Sequence, residues 1–384
     1  MLKVLIDCTA ITPNPSGVGL YITQLLNYLY CIQAQAKIHL TTSYQPGLKN
    51  WLRGNLKSPL NLQEYRPKAI PLPVRLSNPL LEYWPQLFPL LFERKLENPH
   101  IIHGPAYTIF PYKKSKKVIT IFDITFAKYP QYADRVAQHY SVQVRKCLQW
   151  TDLVLTISEN SKRDIVEYFQ VDPNKIWVTP LASRYNPGKL DLQNSQTSPN
   201  IIDIQKAPYL LFVSTIEPRK NISTLITAFN YLKKQYHIPH NLILIGKKGW
   251  KYEPIFEAIT TSPYRDHIHH VNYLPDSDLP HFYRNATAFV YPSHYEGFGL
   301  PVLEAMTLGA PVITSNTSCI PEVAGDAAIL INPQDPHQLA SAILQVIEDN
   351  ALRQSLIEKG YHQAAKFSWE QTALETLAAY RSLL

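Results

Sequence analysis

Two glutamates flank a glycine turn in the stretch Tyr291-Pro292-Ser293-His294-Tyr295-Glu296-Gly297-Phe298-Gly299-Leu300-Pro301-Val302-Leu303-Glu304-Ala305. Proline is favoured at the first position of a helix, where its missing N–H would have had no partner, so Pro301 is expected to open a helix just after Gly297 and Gly299. Free backbone N–H groups at such a start can donate to a diphosphate or to sugar hydroxyls, and the glycines let a ligand approach the backbone closely. Glu296 before the turn and Glu304 in the first helical turn then project toward one edge of a site as hydroxyl acceptors. The plainer alternative makes Glu304 only a favourable charge near a helix N-terminus.

A second constellation is Phe212-Val213-Ser214-Thr215-Ile216-Glu217-Pro218-Arg219-Lys220-Asn221. It follows a strand-like run and precedes a helix, the place where ligands bind in open α/β sheets. Arg219 and Lys220 there would neutralise a departing diphosphate, and stabilisers of developing charge are commonly worth ~10²- to 10³-fold in rate each. Taken without its position, an adjacent Arg-Lys pair would be a solvated helix start.

These motifs need a frame. At 384 residues the chain exceeds one ordinary core and is expected to form two domains of similar size with a cleft between them. Short apolar runs alternate with helix-length amphipathic ones, the pattern of parallel strands joined by crossover helices. The first half offers strands at Leu2–Asp7, Ile38–Thr42, His100–His103, Val118–Ile121, Leu153–Ile157 and Ile176–Thr179. The second offers Tyr209–Ser214, Asn241–Ile245, His269–Val271, Ala288–Tyr291, Pro311–Thr314 and Ala328–Ile331. The fold class is therefore α/β, with two doubly wound domains at 1–187 and 208–367. The polar stretch 188–207 reads as the linker. Ser368 and Gln371 have the spacing of a capping box for a last helix, 368–384, expected to pack back onto the first domain.

On these motifs the chain resembles the family 4 retaining glycosyltransferases of the GT-B fold, whose two Rossmann-like domains face each other. The family's paired glutamates, with seven residues between them, are matched by Glu296 and Glu304, and its Arg-Lys pair by Arg219 and Lys220. The resemblance implies that Glu296, Gly297, Phe298 and Gly299 meet the donor sugar, that Glu304 binds the nucleotide ribose, and that Arg219 and Lys220 hold the diphosphate. It extends to Ser214, Thr215, Leu300, Gly246-Lys247-Lys248-Gly249-Trp250, Tyr273-Leu274-Pro275 and Pro321-Glu322-Val323-Ala324-Gly325, with Gly246 and Leu274 on the donor side. Before residue 208 the match is weaker. Ser16-Gly17-Val18-Gly19 resembles the glycine loop that approaches the donor phosphates, with Gly17 and Gly19 as contacts. His103 and Asp123 resemble the acceptor edge, where many relatives have His-Asp and this chain has Phe122-Asp123. Phe122 cannot hydrogen-bond a sugar hydroxyl, so that contact is missing or supplied elsewhere.

The implied reaction is transfer of a hexosyl group, mannosyl favoured with GDP-mannose as donor, from a nucleotide diphosphate sugar to an acceptor hydroxyl with retention, in glycan, polysaccharide or glycolipid assembly. The resemblance implies no cofactor beyond the nucleotide sugar as co-substrate, and no metal. A nucleotide-sugar epimerase of the same fold and a non-catalytic member of a polysaccharide assembly complex are the competing readings.

The remaining features narrow the setting. Residues 1–190 carry 23 Lys and Arg against 12 Asp and Glu, whereas 191–384 carry 14 against 18, so the amino-terminal half holds the positive charge. That half can attract anionic lipid headgroups or phosphorylated acceptors, or simply be solvated. Nucleic acid is not expected as a partner, because no recognised module accompanies the basic residues. Strand-like residues start at once after Met1, leaving no room for a secretory signal, and no run reaches the ~20 apolar residues of a spanning helix. With Cys8, Cys31, Cys147 and Cys319 widely spaced, a cytoplasmic location with reduced thiols is expected, with peripheral contact at the inner membrane face as an addition. Leu80–Leu96, with Trp84, Phe88, Leu91, Phe92, Arg94 and Lys95, is read as a core-facing helix, with an interfacial membrane surface as the alternative. Asp276-Ser277-Asp278 is read as a helix cap in preference to a metal pair, and His267, His269 and His270 as strand-edge histidines.

Overall fold

The computed structural model describes residues 1–12, 17–58, 60–132, 135–186, 206–272, 274 and 277–384. The chain divides into two compact units, one of Met1–Leu181 with Trp369–Leu384 and one of Ala182–Ser368. The division falls a few residues ahead of the expected end at 187, and most of the linker stretch, with Ser16, Tyr273, Pro275 and Asp276, lies outside the described residues.

The first unit holds a seven-stranded sheet ordered β3-β2-β1-β4-β5-β6-β7. Its strands are β1 (Leu2–Asp7), β2 (Ile38–Tyr44), β3 (Lys68–Ala69), β4 (Ile101–Gly104), β5 (Lys116–Thr120), β6 (Leu153–Thr156) and β7 (Ile176–Val178). The second holds a six-stranded sheet ordered β10-β9-β8-β11-β12-β13: β8 (Tyr209–Val213), β9 (Asn241–Ile245), β10 (Ile268–Val271), β11 (Ala288–Tyr291), β12 (Val312–Ser315) and β13 (Ala328–Ile331). Every strand pair in both is parallel. Parallel strands are covered by helices on both faces, which explains why β8 and β11 are continuous apolar runs buried along their whole length. Chain order reverses between β1 and β4, and again between β8 and β11, and such switch points open a crevice at the carboxyl ends of the strands.

Local chemistry sets the helix ends. Ser158 accepts from the Ser161 N–H to cap the helix Glu159–Phe169, and Asp335 accepts from His337 and Gln338 to cap Pro336–Glu348. The last helix, Trp369–Arg381, belongs to the first unit. There Thr372 Oγ1 donates to the Pro180 carbonyl at 2.6 Å, and Tyr380 Oη lies 2.7 Å from His103 Nδ1.

Two expectations change. The stretch Leu80–Leu96 is not one core-facing helix but the end of the helix Val74–Tyr83, a short helix Leu87–Phe92 and a 3₁₀ turn Glu93–Leu96. Leu81, Phe88 and Leu96 are buried, whereas Tyr83, Trp84, Leu87, Leu90 and Leu91 are exposed. Asp278 occupies the start of the helix Leu279–Asn285 without capping it, because its backbone is already helical (φ −96°, ψ −32°) where a capping residue is extended; its Oδ1 accepts from Ser277 Oγ at 3.0 Å.

Candidate active site

The carboxyl ends of β8 and β11 bring the two motifs together. The loop after β8 makes a 3₁₀ turn, Pro218–Lys220, and the loop after β11 carries Glu296. Lys220 Nζ donates to Glu296 Oε1 at 2.6 Å and to Tyr291 Oη at 2.8 Å. Arg219 Nη1 donates to Glu296 Oε2 at 2.8 Å and to the Tyr295 carbonyl at 2.7 Å. Glu217 completes the cluster, its Oε1 accepting from Arg219 Nη2 at 2.9 Å and Nε at 3.1 Å. Lys220 and Glu296 are each only 6% exposed.

Two cations and two carboxylates thus balance in a buried place. Burial by itself would raise the Glu296 pKa, but Arg219, Lys220 and the hydrogen bonds from Lys220 and Ser293 outweigh it and hold the carboxyl down at about 2. Burial raises Glu217 and, with the neighbouring Arg219 charge, lowers Lys220. Lys220 uses two of its three N–H donors on the described partners, so a donor remains for a ligand oxygen.

Glycine geometry shapes the rim. Gly299 has φ 93° at the start of the helix Leu300–Thr307, and a Cβ there would lie 2.6 Å from Ile320 Cδ1. Gly246, after β9, lets its loop pass against β8: a Cβ would meet the Ser214 carbonyl oxygen. Ser214 is half-buried, Thr215 exposed and Leu300 half-buried. Gly297, Phe298 and Leu274 are buried, and Phe298 meets Phe367 edge to face at 5.7 Å.

Glu304 sits deeper than expected. It lies beyond the first turn of its helix, 3% exposed, which excludes a simple dipole charge. Arg184 Nε stands 2.9 Å from its Oε1, and Tyr283 Oη donates to its Oε2 at 3.4 Å. Arg184, Glu217, Tyr283 and Tyr291 were not singled out in the sequence. The Glu217-to-Lys220 spacing was the available signal for Glu217; for Arg184 there was none, since 120 positions separate it from its partner.

In the first unit the structure gives His103 other partners than a sugar acceptor. It is fully buried, with Nε2 2.7 Å from Thr120 Oγ1 and Nδ1 on Tyr380, and burial depresses its pKa to about 3. Phe122 is buried edge-on against Tyr21 at 5.1 Å, and Asp123 Oδ1 accepts from the Thr125 N–H. Gly17 opens the helix Gly17–Ile32 with open space beside it, and Gly19 is buried within that helix. Of the three histidines, His267 pairs with Asn241 and His270 with the Gly246 carbonyl, and the described residues contain no group of three metal-ligating side chains.

Residues 194–363 match the family model for glycosyl transferases group 1, and residues 37–182 match that for Glycosyltransferase Family 4. Together with two Rossmann-like parallel sheets, these matches place the chain in glycosyltransferase family 4, with the GT-B fold. O-antigen chain mannosyltransferase B of Escherichia coli is 36% identical over 290 residues, covering 74% of each chain. Sucrose-phosphate synthase of Thermosynechococcus elongatus superposes with a TM-score of 0.72 at 20% identity, covering 100% of this chain and 99% of that one. HepE of Anabaena, solved with UDP and glucose, gives a TM-score of 0.69 at 15% identity over the whole of both chains.

Proposed function

We propose that this glycosyltransferase moves a mannosyl group from a nucleotide diphosphate sugar, GDP-mannose foremost, to a hydroxyl of a glycan or lipid-linked acceptor, with retention at the anomeric carbon and without a metal. The observation that carries the reading is the buried Arg219-Lys220-Glu296 cluster at the β8/β11 switch point. Two fixed cations there supply the charge that a metal would bring to a diphosphate. The mannosyl choice and the assignment to polysaccharide assembly draw support from the named activity of the Escherichia coli relative. A nucleotide product agrees with the UDP held by HepE.

Arriving diphosphate competes with Glu296 for Arg219 and Lys220, and Glu296, partly released, turns its oxygens to the hydroxyls of the donor sugar. Glu304, held by Arg184, takes the ribose. The acceptor hydroxyl attacks the anomeric carbon on the face from which the diphosphate leaves. As that C–O bond breaks, the acceptor proton passes to the departing phosphate oxygen, so no separate base is required. Lys220→Ala and the volume-keeping Lys220→Met are expected to lower transfer by at least ~100-fold. A folded variant of either kind that keeps most of its activity rejects the diphosphate role; conversion of donor alone to an epimer points to the competing reaction.

Peripheral membrane contact is a second part of this reading. Nine of the seventeen exposed large apolar side chains among the described residues fall between Leu52 and Leu91, with Trp84 63% and Leu90 64% exposed. Exposed Arg94 and Lys95 follow directly. Apolar side chains beside basic ones suit an anionic bilayer surface on the cytoplasmic side.

A further inference from the structure

A cavity of about 280 Å³ lies in the first unit, at its own switch point between β1 and β4. Asp7 and Ser43 reach it from β1 and β2, Gly104 from β4, Gln45 from the loop after β2, and Ser77 from the helix Val74–Tyr83. Its volume is near the lower end for small-molecule pockets, the size class of one sugar ring.

Gln45 is the anomaly. It is 7% exposed; its backbone N–H donates to Thr9 Oγ1 and its Oε1 lies 3.4 Å from Ser77 Oγ, whose proton goes to the Val74 carbonyl at 2.7 Å, and the buried Nε2 has no hydrogen-bond partner. A buried amide donor left unmade is costly, so its presence points to a ligand acceptor. Across the pocket, Asp7 accepts at Oδ1 from the Thr9 N–H and at Oδ2 from Ser43 Oγ, both neutral donors, and no Lys or Arg lines the cavity. An uncompensated carboxylate disfavours an anionic guest. His103 offers nothing, since both ring nitrogens are engaged. Thr9, Thr108 and Gln143 add polar groups to the wall, Gln143 Nε2 donating to Thr108 Oγ1, and Ile70, Ile109, Phe110 and Tyr112 supply an apolar and aromatic surface.

A hydroxyl is the group that accepts from an amide and donates to a carboxylate, and a pyranose carries several around an apolar C–H face. We propose that this pocket seats one neutral pyranose ring of the acceptor, with Gln45 Nε2 donating to a ring hydroxyl and Asp7 accepting from that hydroxyl or its neighbour. The inference rests on the glycan-acceptor reading above and adds residues that no family motif marks.

The probe is methyl α-D-mannopyranoside, titrated by saturation-transfer NMR into protein saturated with GDP so that the donor site is filled. Gln45→Met is expected to weaken binding about tenfold, the loss of one hydrogen bond, and Ala106→Leu, which intrudes on the cavity, to abolish it. A rise in melting temperature with GDP-mannose shows that each variant is folded. Equal affinity in wild type and both variants, no binding to the wild type, or displacement of the pyranoside by inorganic phosphate would each overturn the proposal. Those results leave the transferase reading standing as long as GDP-mannose still stabilises the protein and is turned over; loss of the donor response in the wild type strikes that reading instead.

Discussion

Glu296 receives Lys220, Tyr291 and Ser293 on one oxygen and Arg219 on the other, so a single carboxylate ties the loop after β8 to the loop after β11. Its folded pKa, about 2, lies below the ordinary 4.5, so its stabilising contribution is complete above 4.5 and is lost as pH falls toward 2. Glu296→Gln is expected to cost about 3 kcal/mol at neutral pH, because it leaves two buried cations short of a partner. Denaturant titrations at falling pH should show the gap between wild type and variant closing through that window. A gap that stays constant would remove Glu296 from the acid response. Each half of this cluster was legible in the sequence, because Arg219 with Lys220 and Glu296 with its glycines are local patterns. Arg184 on Glu304 and the orphaned Nε2 of Gln45 were not, since each depends on residues distant in the chain.

Strands and the helix after the glycine turn were legible as elements, because fully buried parallel strands are apolar runs and Pro301 is a local helix-start signal. Gly299 shows what a single position contributes to an element. Its left-handed backbone lets the chain turn from Glu296 into Leu300–Thr307, and that helix carries Glu304. Gly299→Ala is expected to destabilise the fold by ~1–3 kcal/mol, through backbone strain and the contact with Ile320. Gly17→Ala, with open space and a right-handed backbone, should leave thermal stability nearly unchanged. Equal melting temperatures for the two variants would contradict the strain argument. The stretch Leu80–Leu96 was misread because apolar content gives no direction. Pro85, which lacks a backbone N–H donor, falls between the helices Val74–Tyr83 and Leu87–Phe92, and half of the apolar residues of the stretch face outward.

No helix among the described residues is long and apolar enough to cross a membrane, and the lipid contact proposed above is one made at the protein surface. The positive charge of residues 1–190 and the exposed apolar set between Leu52 and Leu91 occur in the same half. Sedimentation with phosphatidylglycerol vesicles is expected to bring the protein down, and Trp84→Ser with Leu90→Ser to reduce binding about tenfold, each loss being of the order of burying one such side chain in part. Binding that is unchanged in the double variant, or equal on neutral phosphatidylcholine vesicles, would reject this surface. Sequence by itself determined the alternation that makes two parallel α/β units and the local motifs that carry charge, since both depend on residues close in the chain. Tertiary structure alone decided which charges meet, which polar atoms stay unpaired and which apolar side chains face water. Those outcomes depend on where strand order reverses and on partners tens to hundreds of residues apart, and no local pattern encodes them.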